Sequence, residues 1–375
     1  MSTSEAATPS RWIRSARFDL SLVFGGAALA LALPVLAMAS PALLVPLFFW
    51  AWVFFFEGSH FWATYSRTYL DQAFRRQNAA VLSGSLLFFL LPALAVVTDL
   101  AVYYGFFIFL WSLVHNTRQH YGFVAIYSRK AGLDAVAMQR MRWGTYLATV
   151  GPMAHFAVAF KLGGDFPGVA QALHGQPALF AALATWLPWS LTGLSVAYAA
   201  WLMLQYKRNV IAVAYLATCV IFYNAMFFLV AHREPFLPSP RFAAESMMIV
   251  TLMNSLFHNI QYHAIVWHFS DKRYATEGAV SQPGLFGLAQ KINAKLSTYV
   301  LAALGFSVLF TAVFYLRGDL ELFGLARSTA LPKLAYVLYF GVVGHHFYLD
   351  QKIWRVSKGP ELSKYFALTP HATNA

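Results

Sequence analysis

The chain has 375 residues, of which 59% are hydrophobic and only 11% are charged. Soluble domains carry about 25% charged residues, so this composition excludes an ordinary soluble protein and predicts an integral membrane protein. The formal net charge of +12 comes from basic residues in short loops between apolar runs, as the positive-inside rule describes, which argues against nucleic-acid binding. Cys219 is the only cysteine, so an intrachain disulfide framework is excluded.

Apolar runs of about 20 residues, the length of a membrane span, recur along the whole chain. The first run follows three arginines and ends in small residues, as a signal peptide does, but its length favours a retained helix. The predicted fold class is therefore all-α, a polytopic membrane bundle of about ten transmembrane helices. These helices are predicted at 20–39, 43–64, 79–97, 101–124, 144–160, 180–205, 210–231, 242–268, 298–316 and 334–353.

Basic loops follow every even-numbered predicted helix, whereas the other loops contain fewer basic residues and several acidic ones. By the positive-inside rule, the even-numbered helices end in the cytoplasm. We expect a single transmembrane domain over residues 1–375 in a bacterial inner membrane. Its cytoplasmic tails are predicted at residues 1–19 and 356–375.

The stretch from Ser255 to His268 contains three histidines, spaced five residues apart. A shorter copy runs from Ser112 to His120, and both copies read Ser-Leu-apolar-His-Asn-x-x-x-His. Ionisable side chains at membrane depth are costly and usually functional. Eight histidines fall near the cytoplasmic ends of four predicted helices, and we predict that they bind metal: His60, His115, His120, His258, His263, His268, His345 and His346. Predicted helices four and eight should then be neighbours.

Two acidic residues share a helix face with these histidines. Asp350 follows His346 by four residues and Glu57 precedes His60 by three, so each pair can address one point. Both carboxylates are candidate catalytic residues. Two asparagines, each one turn before a histidine, are predicted to orient ligating imidazoles from outside the ligand set: Asn116 and Asn259.

The five-residue spacing conflicts with a regular helix, on which such residues point about 140° apart. Both histidines of a repeat can face one metal only where the helix frays or contains a π-bulge. We expect such a break in both helices, with His268 the histidine that fits the cluster least well. His155 in predicted helix five is a further candidate, whereas His174, His232 and His371 are predicted on the opposite face or in the tail.

The chain resembles two groups of membrane oxygenases. His115 and His120, with the histidine-rich end of a later helix, are similar to the histidine sites of fatty-acid desaturases, hydroxylases and alkane monooxygenases, although their His-x-x-His-His boxes are absent. The stretch from His115 to His120 is also similar to the His-Arg-His helix end of Brp/Blh-type carotenoid-cleaving dioxygenases. Their last helix has a His-to-Asp spacing like that of His345 and Asp350. These resemblances imply non-haem iron at a histidine cluster.

Together these patterns predict a membrane oxidoreductase with one or two non-haem irons, in the di-iron form by preference. Imidazoles beside a carboxylate suit such iron, which leaves open positions for dioxygen as co-substrate. The substrate is expected to be a long-chain lipid, an isoprenoid or a carotenoid that enters from the bilayer. A ferredoxin-like protein or a reductase is the expected electron donor.

Two other functions remain open from the sequence. A haem- or quinone-binding electron-transfer protein needs only histidine pairs on facing helices, but it usually distributes its sites toward both membrane faces. A metal transporter is expected to have ligands near the midplane, where only His155 is predicted. The visible spectrum of the purified protein distinguishes haem from non-haem iron.

Overall fold

The computed structural model describes residues 10–156, 177–230, 242–276, 285–317, 332–354 and 360–368, and within these ranges it contains helices and no strand. Several helices are longer than their predicted counterparts at one or both ends. The helices are α1 (Ala16–Ala37), α2 (Pro41–Thr68), α3 (Gln72–Gln77), α4 (Ala79–Val97), α5 (Ala101–Lys130), α6 (Ala135–Phe156), α7 (Pro177–Gln205), α8 (Val210–Phe227), α9 (Phe242–Thr276), α10 (Leu285–Asn293), α11 (Leu296–Arg317), α12 (Pro332–Ile353) and α13 (Pro360–Tyr365).

Among the described residues, four helices are long and apolar enough to cross a membrane: α1, α2, α4 and α8. The all-α prediction is confirmed for the described residues, and each of the ten predicted segments has a helix at its place. The count of ten spans is not confirmed. Two of the helices that did not qualify, α5 and α9, contain the histidine repeats with their asparagines, glutamines and basic ends, and these polar side chains lower the hydropathy on which a span is recognised.

The predicted breaks in the two histidine repeats were wrong. His115 and His120 lie within the continuous α-helix α5, and His258 and His263 lie within α9. A π-helical turn is found instead at Val53–Glu57, directly before His60. Each repeat therefore presents its two histidines to different surroundings, as regular helix geometry requires.

The chain divides into two compact units. The first comprises residues 1–25, 117–225 and 356–375, and the second comprises 26–116 and 226–355. The prediction of a single transmembrane domain stays a prediction, as do the two cytoplasmic tails. The second unit contains all the predicted site residues except His120.

Within the second unit, α2 and α11 approach closely at Gly58. A Cβ atom at this position would lie 2.6 Å from the Cα atom of Ser307, so only glycine allows this separation. The Ser307 hydroxyl donates a hydrogen bond to the carbonyl oxygen of Val53 in the π-helical turn, at 3.0 Å. This contact fixes the segment that leads into His60.

The second unit has an aromatic core beside the histidines. Its fully packed members come from α2, α5, α9, α11 and α12, and they are Phe49, Trp52, Val53, Phe61, Ile108, Leu252, Phe310, Val343 and Phe347. Burying aromatic side chains of this size is the main favourable contribution to packing in such a core. The core therefore places apolar surface beside the predicted site, where Phe61 and Phe347 contact its histidines.

A buried ionic cluster joins the ends of α2 and α9 in the same unit. The Asp71 carboxylate accepts from Arg273 at 2.7 Å and lies 3.5 Å from Arg67. It also accepts the backbone N–H of Phe74 at the start of α3. The Arg67 guanidinium lies 3.4 Å from the ring centroid of Phe269. Asp71 thus balances cationic charge that is largely withdrawn from solvent.

Candidate metal centre

Four helices of the second unit each contribute one histidine to a single buried cluster. His60 comes from α2, His115 from α5, His258 from α9 and His346 from α12, and none is more than 5% exposed. The ring centroids of His115 and His258 lie 5.0 Å apart, so the predicted approach of the two repeats is confirmed. The sequence positions span nearly 290 residues, and the fold brings these imidazoles together.

The ligand atoms of this cluster form two overlapping groups. His60, His258 and His346 form one group, and His115, His346 and Asp350 form the other, with the atoms of each group within 4.8 Å of one another. These buried groups could hold a metal ion. His346 belongs to both groups, so all five residues surround one region.

Individual distances fit the spacing of ligands around one ion. The Nε2 atoms of His60 and His346 lie 3.1 Å apart. The Asp350 Oδ2 atom lies 3.6 Å from Nε2 of His346 and 3.8 Å from Nε2 of His115. For a metal–nitrogen distance of about 2.1 Å, ligand atoms at right angles lie about 3.0 Å apart and opposite ones about 4.2 Å apart. The three separations fall within this range.

A backbone contact determines which nitrogen of His60 can ligate. Its Nδ1 atom lies 2.8 Å from the carbonyl oxygen of Glu57, which can only accept a hydrogen bond. Nδ1 therefore carries the proton, and in the neutral ring Nε2 keeps its lone pair. This lone pair lies on the side of His346. Such an outer hydrogen bond is usual for imidazoles that bind metal.

Comparison with protein-family models, with curated proteins and with solved structures found no match. The resemblance to membrane oxygenases of the desaturase and Brp/Blh types stays a prediction. What the geometry itself provides is a buried set of four imidazoles and one carboxylate.

Other predicted ligands lie outside both donor groups. His263 has both ring nitrogens beside hydroxyl oxygens, with Ser59 at 3.0 Å and Tyr299 at 2.9 Å. The Ser59 hydroxyl donates to the carbonyl oxygen of Phe55, so it accepts from His263 Nε2, and Tyr299 donates to Nδ1. His263 is thus hydrogen-bonded by protein groups at both nitrogens.

His345 and His120 have the same kind of surroundings. The His345 nitrogens lie 2.9 Å from the Tyr69 hydroxyl and 3.3 Å from the Tyr65 hydroxyl. In the first unit, the His120 nitrogens each lie 2.8 Å from a tyrosine hydroxyl on α8. An imidazole engaged at both nitrogens has no lone pair left for a metal. The contacts of these two histidines do not support their prediction as ligands.

The remaining predicted residues have the following positions. His268 is 1% exposed and belongs to neither donor group. The Glu57 side chain accepts hydrogen bonds from Ser255 at 3.2 Å and from Tyr339 at 3.4 Å, so it lies beside the cluster without joining a donor group. Asn116 is buried, directly after His115.

The amide of Asn259 donates to Ser255 and to the carbonyl oxygen of Phe56. These contacts tie α9 to the π-helical segment of α2 and orient no imidazole. Four predictions fall outside the described side chains: His155, His174, His232 and His371.

Sequence reasoning missed two residues that contact the carboxylate of the site. The hydroxyls of Thr64 and Tyr262 donate to Asp350 Oδ1 at 2.8 Å and 2.6 Å. Thr64 follows His60 by four residues, and Tyr262 follows His258 by four. The four-residue spacing that identified Asp350 beside His346 would also have identified these two hydroxyl residues, because residues four apart share a helix face.

Proposed function

We propose that this protein is a membrane oxidoreductase that holds one non-haem iron and uses dioxygen to modify an apolar substrate. The observation that carries the proposal is the buried set of four imidazoles and one carboxylate on four helices. Imidazole suits iron, copper, zinc and nickel, and a carboxylate among histidines is typical of non-haem iron oxygenases. Sites of structural zinc have four tetrahedral ligands and are usually rich in cysteine, so five donors without cysteine favour iron.

The spacing of the donors favours one ion over two. A di-iron site places its metals about 3.5–4 Å apart and needs ligands spread around both, usually with several carboxylates. Here the two donor groups share His346, and Asp350 is their one carboxylate. We therefore prefer a single iron to the di-iron centre expected from the sequence.

The same distances argue against the haem alternative. Two axial histidines bind on opposite sides of a haem iron, so their ligating nitrogens lie about 4 Å apart with the macrocycle between them. The Nε2 atoms of His60 and His346 are 3.1 Å apart, which is too close for these two histidines to be the axial ligands of one haem.

Aromatic contacts support an apolar substrate. The Phe347 ring stacks on His115 with a centroid distance of 4.5 Å, and Phe61 lies 4.2 Å from His60. The donor set is buried and two of its imidazoles contact phenylalanine rings, which are surroundings that suit hydrocarbon better than a polar substrate. Acyl lipids, isoprenoids and carotenoids all partition into the bilayer and suit such surroundings.

When bound, iron would supply the one-electron chemistry that dioxygen requires. The protein contributes the ligands, and it presents His60 in the tautomer whose Nε2 lone pair can ligate. Incorporation of one oxygen atom or desaturation consumes two further electrons, so a ferredoxin-like donor or a reductase is part of the proposal in that case. A bacterial inner membrane with the site on the cytoplasmic side agrees with the charge distribution of the loops.

The first test is metal content in protein purified from iron-replete cells. We expect about one iron per chain and no Soret band. Less than about half an iron per chain, zinc alone, or a Soret band would overturn the proposal, and two irons would restore the di-iron form.

A matched pair of variants on α5 tests the ligand set. His115→Gln removes a donor of the cluster, whereas His120→Gln alters a buried histidine that contacts two tyrosines. We expect iron to be lost from the first and kept in the second, with both proteins monodisperse in detergent. Equal iron content in the two variants would contradict the ligand assignment.

Substrate and reaction are tested with ¹⁸O₂ in membranes supplied with an acyl lipid, an isoprenoid or a carotenoid. We expect one class to gain ¹⁸O or lose two hydrogens, and His115→Gln membranes to show neither change. An iron-loaded protein that consumes no dioxygen with any class would contradict the oxygenase function while leaving the metal site intact.

A further inference from the structure

The hydroxyl of Thr64 lies at the centre of a buried network beside the metal centre. Its Oγ1 atom is 2.6 Å from Nδ1 of His346, 2.8 Å from Oδ1 of Asp350 and 2.7 Å from the hydroxyl of Tyr262. Thr64 itself is fully buried. We propose that Thr64 is a positioning residue that sets the ring tautomer of His346 and selects the ligating oxygen of Asp350. This inference rests on the proposed metal centre.

Thr64 and Tyr262 each have one hydroxyl proton, and both donate it to Oδ1 of Asp350, so their 2.7 Å separation is that of two donors that share one acceptor. An ionised carboxylate only accepts, so the single Thr64 proton is donated to Asp350 Oδ1. At Nδ1 of His346 the Thr64 oxygen can then only accept, and Nδ1 must carry the ring proton. The Nε2 atom of the neutral ring is left with its lone pair, on the side of His60, whose Nε2 is 3.1 Å away.

The same network distinguishes the two oxygens of Asp350. Oδ1 accepts hydrogen bonds from both Thr64 and Tyr262. Oδ2 instead lies 3.6 Å from Nε2 of His346 and 3.8 Å from Nε2 of His115. Two hydroxyl donors thus hold Oδ1 away from the metal, and Oδ2 is the oxygen presented to it. A ligating carboxylate is ordinarily held by such outer hydrogen bonds.

On each of three helices, a member of the network follows a donor histidine by four residues. Thr64 follows His60 by four residues on α2, Tyr262 follows His258 on α9, and Asp350 follows His346 on α12. Each helix therefore presents a donor histidine and, one turn later on the same face, a member of the network. Because three helices meet through Thr64, Tyr262 and Asp350, a change at the Thr64 hydroxyl affects the orientation of the donors directly.

The experiment measures Co²⁺ binding to the intact metal-depleted protein in detergent, with the visible ligand-field spectrum of bound Co²⁺ as a second readout. Thr64→Val keeps the shape and removes the hydroxyl, and Thr64→Ser restores it. Thr68→Val is the matched control, because Thr68 is equally buried one turn later and donates to the carbonyl oxygen of Thr64.

We expect Thr64→Val to weaken Co²⁺ binding about 10–100-fold and to shift the ligand-field bands. Thr64→Ser and Thr68→Val should match the wild-type protein in both readouts. An unchanged affinity and spectrum in Thr64→Val, or equal losses in Thr64→Val and Thr68→Val, would overturn the positioning role. If the wild-type protein itself binds no Co²⁺, the metal centre of the proposed function fails, which is a different result from failure at Thr64 alone.

Discussion

Replacing Asp350 by asparagine should weaken metal binding without destabilising the metal-free protein. Asp350 is 5% exposed, and its carboxylate lies within 4 Å of the imidazoles of His115 and His346, which carry no charge in their neutral form. A buried carboxylate without a cation is costly. Asparagine keeps an oxygen that can accept from the neighbouring hydroxyls, so the metal-free variant should be at least as stable as the wild-type protein.

The expected loss appears only when metal is present. Weakening of metal binding by about 10–100-fold corresponds to about 1.4–2.7 kcal/mol. At a free metal concentration of about 1,000 times the wild-type Kd, bound metal stabilises the wild-type fold by about 4.1 kcal/mol. In Asp350→Asn this stabilisation should fall to about 1.4–2.7 kcal/mol.

Asp71→Asn is the matched control, since Asp71 is a second buried aspartate of the same unit. Its carboxylate balances Arg273 and Arg67, with nitrogen–oxygen distances of 2.7 and 3.5 Å. Removing one partner of a buried ion pair costs about 3–5 kcal/mol, so this variant should be destabilised with and without metal, and its metal affinity should be unchanged.

Thermal unfolding of both variants, measured in detergent with and without added metal, checks these opposite patterns. The reasoning is refuted if Asp350→Asn unfolds at a lower temperature than wild type in the metal-free state and gains the full wild-type stabilisation from metal. That result would make Asp350 a packing residue.

Three further predictions concern glycine and histidine positions. Gly58→Ala should destabilise the protein and reduce its metal content, because the added Cβ atom would collide with Ser307. Gly305→Ala on α11 is the control: its Cβ would have no atom within 4 Å, so this variant should be neutral or more stable by about 0.5–1 kcal/mol. Thermal unfolding and iron analysis of the two variants check this difference. His263→Gln should keep wild-type iron content because both ring nitrogens already bond hydroxyls, and loss of iron would return it to the ligand set. Elemental analysis should also show unchanged metal in one triple alanine variant, of His174, His232 and His371.

The helices were predictable from the sequence because hydrophobic runs determine them locally. The predicted segment at 79–97 coincides with α4, and 101–124 lies within α5. The π-helical turn at Val53–Glu57 was not predicted, and the hydrogen bond that Ser307 donates to it comes from a helix about 250 residues away, which local spacing does not reveal. Spacing alone suggested breaks inside α5 and α9, but neither helix needs one, since only one histidine of each repeat belongs to the donor set.

The choice among the eight histidines depends on their partners, which the sequence does not display. His345 and His346 are adjacent and both buried, yet His345 contacts two tyrosine hydroxyls and His346 contacts Thr64 at Nδ1 and His60 at Nε2. A neutral ring has one donor and one acceptor nitrogen, so two hydroxyl partners use both. At His346 the partner of Nε2 is the Nε2 atom of His60, which carries no proton to donate, so the Nε2 lone pair of His346 is left for a metal. The distinction between a packing histidine and a ligand therefore lies in how many of its nitrogens the protein itself occupies.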